Sequence, residues 1–367
     1  AKINEFSPYK MIVSPIVNEM AFLQKRDKQA KQFKLTTLVS KYFVTPVDCA
    51  RPVILLEFDY SMKSGCLLGE YILLHYFGKD TTTRAYTPIT PQFVLCEGGA
   101  RLQSITEQPH NQKNLSQAKN SKDEDRSQRL FLLVRLYKYG NMSNILRSLK
   151  PGQILRITGP FLRKPMLPTY TDEGFGLQCW RRVIMICGGT GVTPMLHVIM
   201  HHLSQGNDEN KLLLLWFNNT PNDLFVASHL RYLQLQFPKR LYFVFCFTAS
   251  ETGQVTDVNA LYNLKEWSQV HFKKWEDTQN RTLIRHFLKH GEPPHETQSS
   301  TKSDGNTAGD IEIGKLKSES SNLQDLHPHD RLMISGPKPF VESYIDLMKD
   351  TVDFQKVNLG KQLISLD

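Results

Sequence analysis

The chain has 367 residues, of which 40% are hydrophobic and 22% charged, and its formal net charge is +9. That length accommodates two domains with separate cores, and no apolar run reaches the ~20 residues that a bilayer-crossing helix requires. Cys49, Cys66, Cys96, Cys179, Cys187 and Cys246 are scattered with no pair at metal-ligand spacing, a pattern of free thiols in a reducing compartment rather than of a disulfide framework or a metal site.

Residues 1–32 show no sustained period and carry Lys25, Arg26, Lys28 and Lys31 against Asp27. They are expected to form a basic lead-in or a solvated charged face. Met11-Ile12-Val13 is too short for the apolar core of a signal peptide. The chain starts at Ala1 without a methionine, as a processed product or a piece of something longer would.

From Phe33 the texture is that of β-structure. Strands are expected at 34–40, 53–58, 70–77 and 82–88, the last ended by Pro88. Residues 107–128 are polar and cannot bury a core, so they are expected to form a surface insertion. A strand over 130–137, a turn at Tyr139-Gly140, a short helix over 143–149 and a strand over 154–158 follow. Several strands at short spacing with one small helix predict a closed antiparallel barrel over 33–168.

After Pro168 the pattern alternates. Apolar strands at 183–186, 212–216, 242–247 and 332–335 are interleaved with helical patterns at 194–203, 223–236, 277–289 and 339–349. Alternating β and α predicts a doubly wound parallel sheet over 169–367, with a second polar insertion at about 292–329. The fold class expected is thus two domains, an antiparallel β-barrel followed by an α/β Rossmann-like domain.

Four motifs carry candidate chemistry. Val183 to Ile186 runs into Gly188-Gly189-Thr190-Gly191-Val192-Thr193-Pro194 and then a helix. Strand, glycine-rich turn and helix present backbone N–H groups and a positive dipole end to an anion. The turn is neither a Walker loop nor the usual dinucleotide fingerprint, since Pro194 stands where a third glycine would. In Arg84-Ala85-Tyr86-Thr87-Pro88, alternation puts Arg84, Tyr86 and Pro88 on one side. A guanidinium beside an aromatic suits a ligand with both a phosphate and a flat ring. Gly140-Asn141-Met142-Ser143 opens the short helix and offers a second set of N-terminal N–H groups for a pyrophosphate, or Ser143 is an ordinary N-cap. Gly336-Pro337-x-Pro339 follows the last strand.

These motifs, in this order, resemble the NADH–cytochrome b5 reductase-like branch of the ferredoxin–NADP reductase superfamily over about residues 33–360. The resemblance implies an FAD-binding barrel domain and an NAD-binding domain. It also implies hydride transfer from NADH to FAD and then single electrons to a haem protein such as an acidic cytochrome b5. Carried over, Arg84 would bind the FAD pyrophosphate, with Ala85 and Pro88 beside it, and Tyr86 and Thr87 would contact the isoalloxazine and ribityl chain. Arg135 and Tyr137 would lie near the flavin, and Gly140, Asn141, Met142 and Ser143 would hold the pyrophosphate. Gly188, Gly189, Thr190, Gly191, Thr193 and Pro194 would line the NADH crevice, with Gly336 and Pro337 at its far side.

Asp223 falls on the acid that bonds the adenosine ribose and repels a 2′-phosphate, implying NADH rather than NADPH. From position alone it is equally a helix N-cap. The residues at the reacting atoms would be Thr87, Thr193 and Ser335. Ser335 departs from the family's cysteine, keeping its size and losing sulfur's polarizability. The chain also ends at Asp367 on a polar tail where the family ends on an aromatic residue. The family implies a place at the cytoplasmic side of the endoplasmic reticulum or mitochondrial membrane, with the basic lead-in touching its surface. An FAD-binding assembly or accessory protein with little turnover is the alternative. No nucleic-acid motif is present.

Overall fold

A computed structural model of the chain describes residues 30–46, 49–60, 69–78, 81–89, 103–104, 129–162, 169–171, 174–176, 180–204, 210–247, 270–271, 277–290, 324–325, 329–349, 352–353 and 363–365. The expected insertion at 107–128 and the boundary at 168 lie outside these residues, as do nearly all of 292–329 and of the basic lead-in.

The first half contains β1 (Lys34–Phe43), β2 (Val53–Asp59), β3 (Glu70–Phe77), β4 (Thr81–Tyr86), the two-residue β5 (Gln103–Ser104), β6 (Leu130–Arg135) and β7 (Ile154–Leu162). A helix, α1 (Asn141–Ser148), lies between the last two. The strands pair antiparallel in the order β4-β3-β7-β1-β2-β6, with β5 beside β1. Beyond β4 the chain reaches β6, where Ile89 forms an antiparallel bridge to Phe131 and donates its N–H at 2.9 Å. That bridge brings the two ends of the sheet together, as the predicted barrel requires.

Val53–Leu56 of β2 and Leu130–Val134 of β6 read as unbroken apolar runs because both of their faces are covered. Ile54, Leu56, Phe58, Leu130, Leu132 and Val134 face the barrel interior with Met142 and Leu146 of α1. The alternate residues Val53, Leu55, Phe131 and Leu133 join a core shared with the second half. A strand's two-residue period therefore sends one set inward and the other to the domain junction.

The second half opens with a small hairpin, β8 (Thr169–Thr171) and β9 (Gly174–Gly176). Its main sheet comprises β10 (Arg182–Gly188), β11 (Lys211–Asn218), β12 (Leu241–Phe247), β13 (Val270–His271), β15 (Asp330–Ser335) and β17 (Leu363–Ser365). All pair parallel in the order β13-β12-β11-β10-β15-β17. A separate pair joins β14 (Gln324–Asp325) to β16 (Val352–Asp353). The helices α2 (Val192–Ser204) and α3 (Ala227–Gln236) cover one face, where Met195, Leu196 and Leu230 pack with Val183 and Met185 of β10. The helices α4 (Asp277–His290) and α5 (Lys338–Lys349) cover the other, where Phe287 and Val341 pack with Ile184 and Ile186. This is the predicted doubly wound sheet.

The strand order reverses between β10 and β15, and the crevice at such a reversal is where this architecture takes ligands. At the opposite ends of the same two strands, Arg182 holds Asp330 with a two-pronged buried pair, Nε–Oδ1 3.0 Å and Nη2–Oδ2 2.6 Å. The fork fixes the register of the two central strands.

One expectation of the fold needs correction. The helix predicted from Asp223 begins at Ala227; Pro221–Asp223 is instead a 3-10 turn, and Val226 takes a left-handed conformation (φ +51°) before the helix. Leu224, Phe225 and Val226 are buried, so burying this apolar triplet decides the path and the Pro-Asn-Asp start signal does not. The polar C-terminal tail contributes Leu363–Ser365 as an edge strand beside β15. Among the described residues, no helix is long and apolar enough to cross a membrane.

Candidate active site between the barrel and the parallel sheet

On the barrel side, β4 delivers Arg84 and Ala85 exposed, Tyr86 half-buried, and Thr87 and Pro88 buried. The guanidinium of Arg84 donates Nη1 to the Thr83 carbonyl at 2.8 Å, and this is its one hydrogen bond among the described residues. Burial pushes the Tyr86 phenol up, Arg84 opposes that shift, and Tyr137 adds to it. These three side chains therefore sense one another in one place.

The helix α1 packs against β4. Its N-cap, Gly140, offers no side-chain acceptor, and no acidic residue stands in its first turn. Ser143 is not a cap: its Oγ accepts the Tyr137 N–H at 3.0 Å and ties down the turn that leads into the helix. Asn141 is exposed and Met142 buried in the barrel core. An uncapped helix N-terminus beside an arginine with unused donors suits a diphosphate.

The other end of α1 is held by a residue with no sequence signal. Lys41 of β1, 7% exposed, donates its ammonium to the carbonyls of Leu146 (3.2 Å), Arg147 (2.9 Å) and Leu149 (2.7 Å). A cation on three terminal carbonyls satisfies groups that a helix C-terminus leaves unpaired and opposes its negative dipole end. Burial lowers the pKa of this lysine.

On the sheet side, β10 ends at Gly188 and the chain turns through a 3-10 segment, Gly189–Gly191, into α2. Gly189 sits at φ +55°, and a Cβ there would lie 3.3 Å from the Arg135 guanidinium carbon. A Cβ at Gly191 would lie 2.5 Å from the Ser335 carbonyl oxygen, so glycine is what lets the turn rest on the end of β15. Thr190 is half-buried and Pro194 buried. The Thr193 hydroxyl donates to the Thr190 carbonyl at 3.0 Å and closes the turn. Trp216 of β11 donates its indole N–H to the Gly189 carbonyl at 2.8 Å, a contact the sequence did not announce.

Ser335 is buried and is the register partner of Cys187 across the reversal of strand order. Gly336 is half-buried and Pro337 exposed at the mouth of the same crevice. Burial pushes the Cys187 thiol well above its ordinary value, so it is held protonated.

The two halves meet through Arg135, at the end of β6. Its Nη1 donates to Asp223 Oδ1 at 3.2 Å and its Nη2 to Asn218 Oδ1 at 3.3 Å. The second oxygen of Asp223 accepts both the N–H and the hydroxyl of Thr220, each at 3.0 Å. Asp223 is thus no helix cap; it is the anchor of its own turn and the partner of a barrel arginine. Tyr137, 40% exposed, lies outside this pair under the Arg51 guanidinium. The structure therefore brings the Arg84 motif, the α1 N-terminus, the glycine-rich turn and the Ser335 end of β15 to the junction of barrel and sheet. His197, whose Nε2 lies 2.6 Å from the Pro88 carbonyl oxygen, and Lys41 support these segments and were not read from the sequence as site residues.

A family model described as an oxidoreductase FAD-binding domain matches residues 104–164, and one described as an oxidoreductase NAD-binding domain matches residues 185–284. The cytochrome b5 reductase domain of Ulva prolifera nitrate reductase has the same fold, with 17% identity, a TM-score of 0.53, and 92% of this chain and 98% of that one covered. Ferredoxin-NADP+ reductase from Plasmodium falciparum gives 14% identity, a TM-score of 0.52, and coverage of 91% and 96%.

The sequence relatives narrow the class. NADH-cytochrome b5 reductase 2 of Ajellomyces capsulatus is 32% identical over 30% of this chain and 32% of its own length. NADH-cytochrome b5 reductase 1 of Aspergillus fumigatus is 36% identical over 31% and 36%. The chain spans about a third of the length of these curated relatives in the matched region. With both domain types, this fold and these relatives, the chain is similar to the cytochrome b5 reductase-like branch of the ferredoxin–NADP reductase superfamily.

Proposed function

We propose that the chain binds FAD on the barrel and NADH along the glycine-rich turn, and passes electrons from the nucleotide to a one-electron haem acceptor. The observation that supports this reading is the packing of the Gly189–Gly191 turn against β6 beside the strand reversal, with Ile89, just past the Arg84 motif, bridged to the same strand. A flavin, when bound, accepts two electrons together and releases them singly.

The chain's own residues have separable tasks. Arg84 and the first-turn N–H groups of α1 bind the diphosphate, and Lys41 holds that helix from behind. Tyr86 and Thr87 flank the ring, and the N-terminus of α2 faces the nucleotide phosphates. Ser335, from the opposite strand, bounds the nicotinamide end. No proton relay is required of them, because hydride transfer depends on approach at ~3–3.5 Å and on orientation.

The relatives named as NADH-cytochrome b5 reductases support a cytochrome b5-like acceptor, and the chain's net charge of +9 suits an acidic one. Extraction and chromatographic identification of the flavin from purified protein tests the reading. FAD at about one per chain is expected, and a colourless protein that takes up no added FAD contradicts it.

A further inference from the structure

The cluster around Asp223 is set up differently from a free acid awaiting a ribose. Its Oδ1 is taken by Arg135 and its Oδ2 by two donors from Thr220. The ion pair is buried, with side-chain exposures of 7% and 9%. Within the same cluster two donors have no acceptor among the described residues, Nε of Arg135 and Nδ2 of Asn218. A buried donor without a partner is costly. The cluster is therefore rich in donors and short of acceptors, and its formal charges cancel.

We propose that Arg135 is a specificity-determining residue for the nucleotide: by pairing with Asp223 it cancels the charge that would repel a 2′-phosphate. This inference rests on the reading above, that the nucleotide lies along the Gly189–Gly191 turn, where the Arg135 guanidinium also lies. A free carboxylate beside the ribose accepts hydrogen bonds from its hydroxyls and repels a phosphate. A carboxylate already paired with a guanidinium repels a phosphate far less and has fewer lone pairs left for the hydroxyls, and the unpartnered N–H groups of Arg135 and Asn218 favour an acceptor oxygen. Selectivity between NADH and NADPH then follows the pair, and the unaltered chain discriminates weakly.

The test uses AMP and 2′-phospho-AMP as probes, titrated calorimetrically into the FAD-loaded protein, so that hydride transfer plays no part. The unaltered protein is expected to bind the two within about tenfold of each other. Arg135→Met exposes the acid, and 2′-phospho-AMP should weaken relative to AMP by about tenfold or more. Asp223→Asn exposes the guanidinium and should move the ratio by a similar factor in the opposite direction, since a unit charge at such range is felt strongly. The double variant should return near the starting ratio.

Equal weakening of both probes in folded variants would overturn the proposal and leave the pair as a weld between the domains. If Arg135→Met fails to fold, Asp223→Asn decides alone: an unchanged ratio overturns the inference. Failure of the unaltered protein to bind either probe would instead overturn the nucleotide-site reading itself.

Discussion

His197, on the helix behind the glycine-rich turn, places Nε2 2.6 Å from the carbonyl oxygen of Pro88, the last residue of the barrel's Arg84–Pro88 motif. Both are buried. The imidazole N–H is thus the donor that ties the nucleotide-side helix to the strand carrying Arg84 and Tyr86. His197→Leu removes that donor and leaves a buried carbonyl unsatisfied, at a cost of about 1–3 kcal/mol. The expected result is a lower melting temperature together with weaker domain docking, measured by faster proteolysis between the halves. A melt unchanged within error would contradict the role.

Lys41 acts from the C-terminal end of α1, whose N-terminus is proposed to hold the diphosphate. Lys41→Met should cost about 2 kcal/mol or more of stability, since hydrogen bonds to a charged group carry ~1.5–3 kcal/mol each and are not additive. FAD affinity should also fall, by about tenfold if the helix N-terminus shifts. A melting curve and an FAD titration separate the two effects. A lowered melt with unchanged FAD affinity would make Lys41 structural only.

The buried histidines predict acid sensitivity. His202 is wholly buried against Trp180, neither ring nitrogen has a hydrogen-bond partner among the described residues, and its pKa is lowered to about 3, first by burial and then by His201 and Arg240. The unfolded chain protonates this group near pH 6.5 and the folded one does not. Between about pH 6.5 and 3, therefore, the unfolded state binds more protons, and stability falls as pH falls. One pKa unit corresponds to ~1.4 kcal/mol. His202→Leu, close in volume and without polar atoms, should flatten the loss of stability between pH 6.5 and 4. A variant whose pH profile matches the parent would remove His202 from the account.

These residues also mark where the sequence stops being informative. The apolar runs Val183–Cys187 and Leu212–Trp216 were legible because a strand buried on both faces has few alternatives. The glycine-rich turn was legible as a turn. Its partners were not: the Arg135–Asp223 pair spans 88 residues and the Lys41 contacts span 105 or more, and no local pattern encodes such meetings. Asp223 misled because Pro-Asn-Asp carries a helix-start signal, whereas burial of Leu224 and Phe225 beside Trp216 sets the path. Local propensity lost to tertiary packing there.

Ser335 is where the chain departs from the family pattern. Ser335→Cys should raise the limiting rate of flavin reduction with little change in FAD affinity, because on the proposed reading the position bounds the nicotinamide end. A small misplacement there can cost on the order of 100-fold in rate, ~2.7 kcal/mol. Equal limiting rates in anaerobic stopped-flow at saturating NADH would show that this serine only ends a buried strand beside Cys187.

The most direct measurement is the visible spectrum of the FAD-loaded protein, titrated anaerobically with NADH. The account predicts that the oxidised flavin band bleaches at about one NADH per flavin, as a two-electron acceptor requires. It also predicts that an added one-electron haem acceptor restores the band. A flavin spectrum that saturating NADH leaves unchanged would contradict the reductase reading, and would describe a protein that holds the cofactor without turning it over.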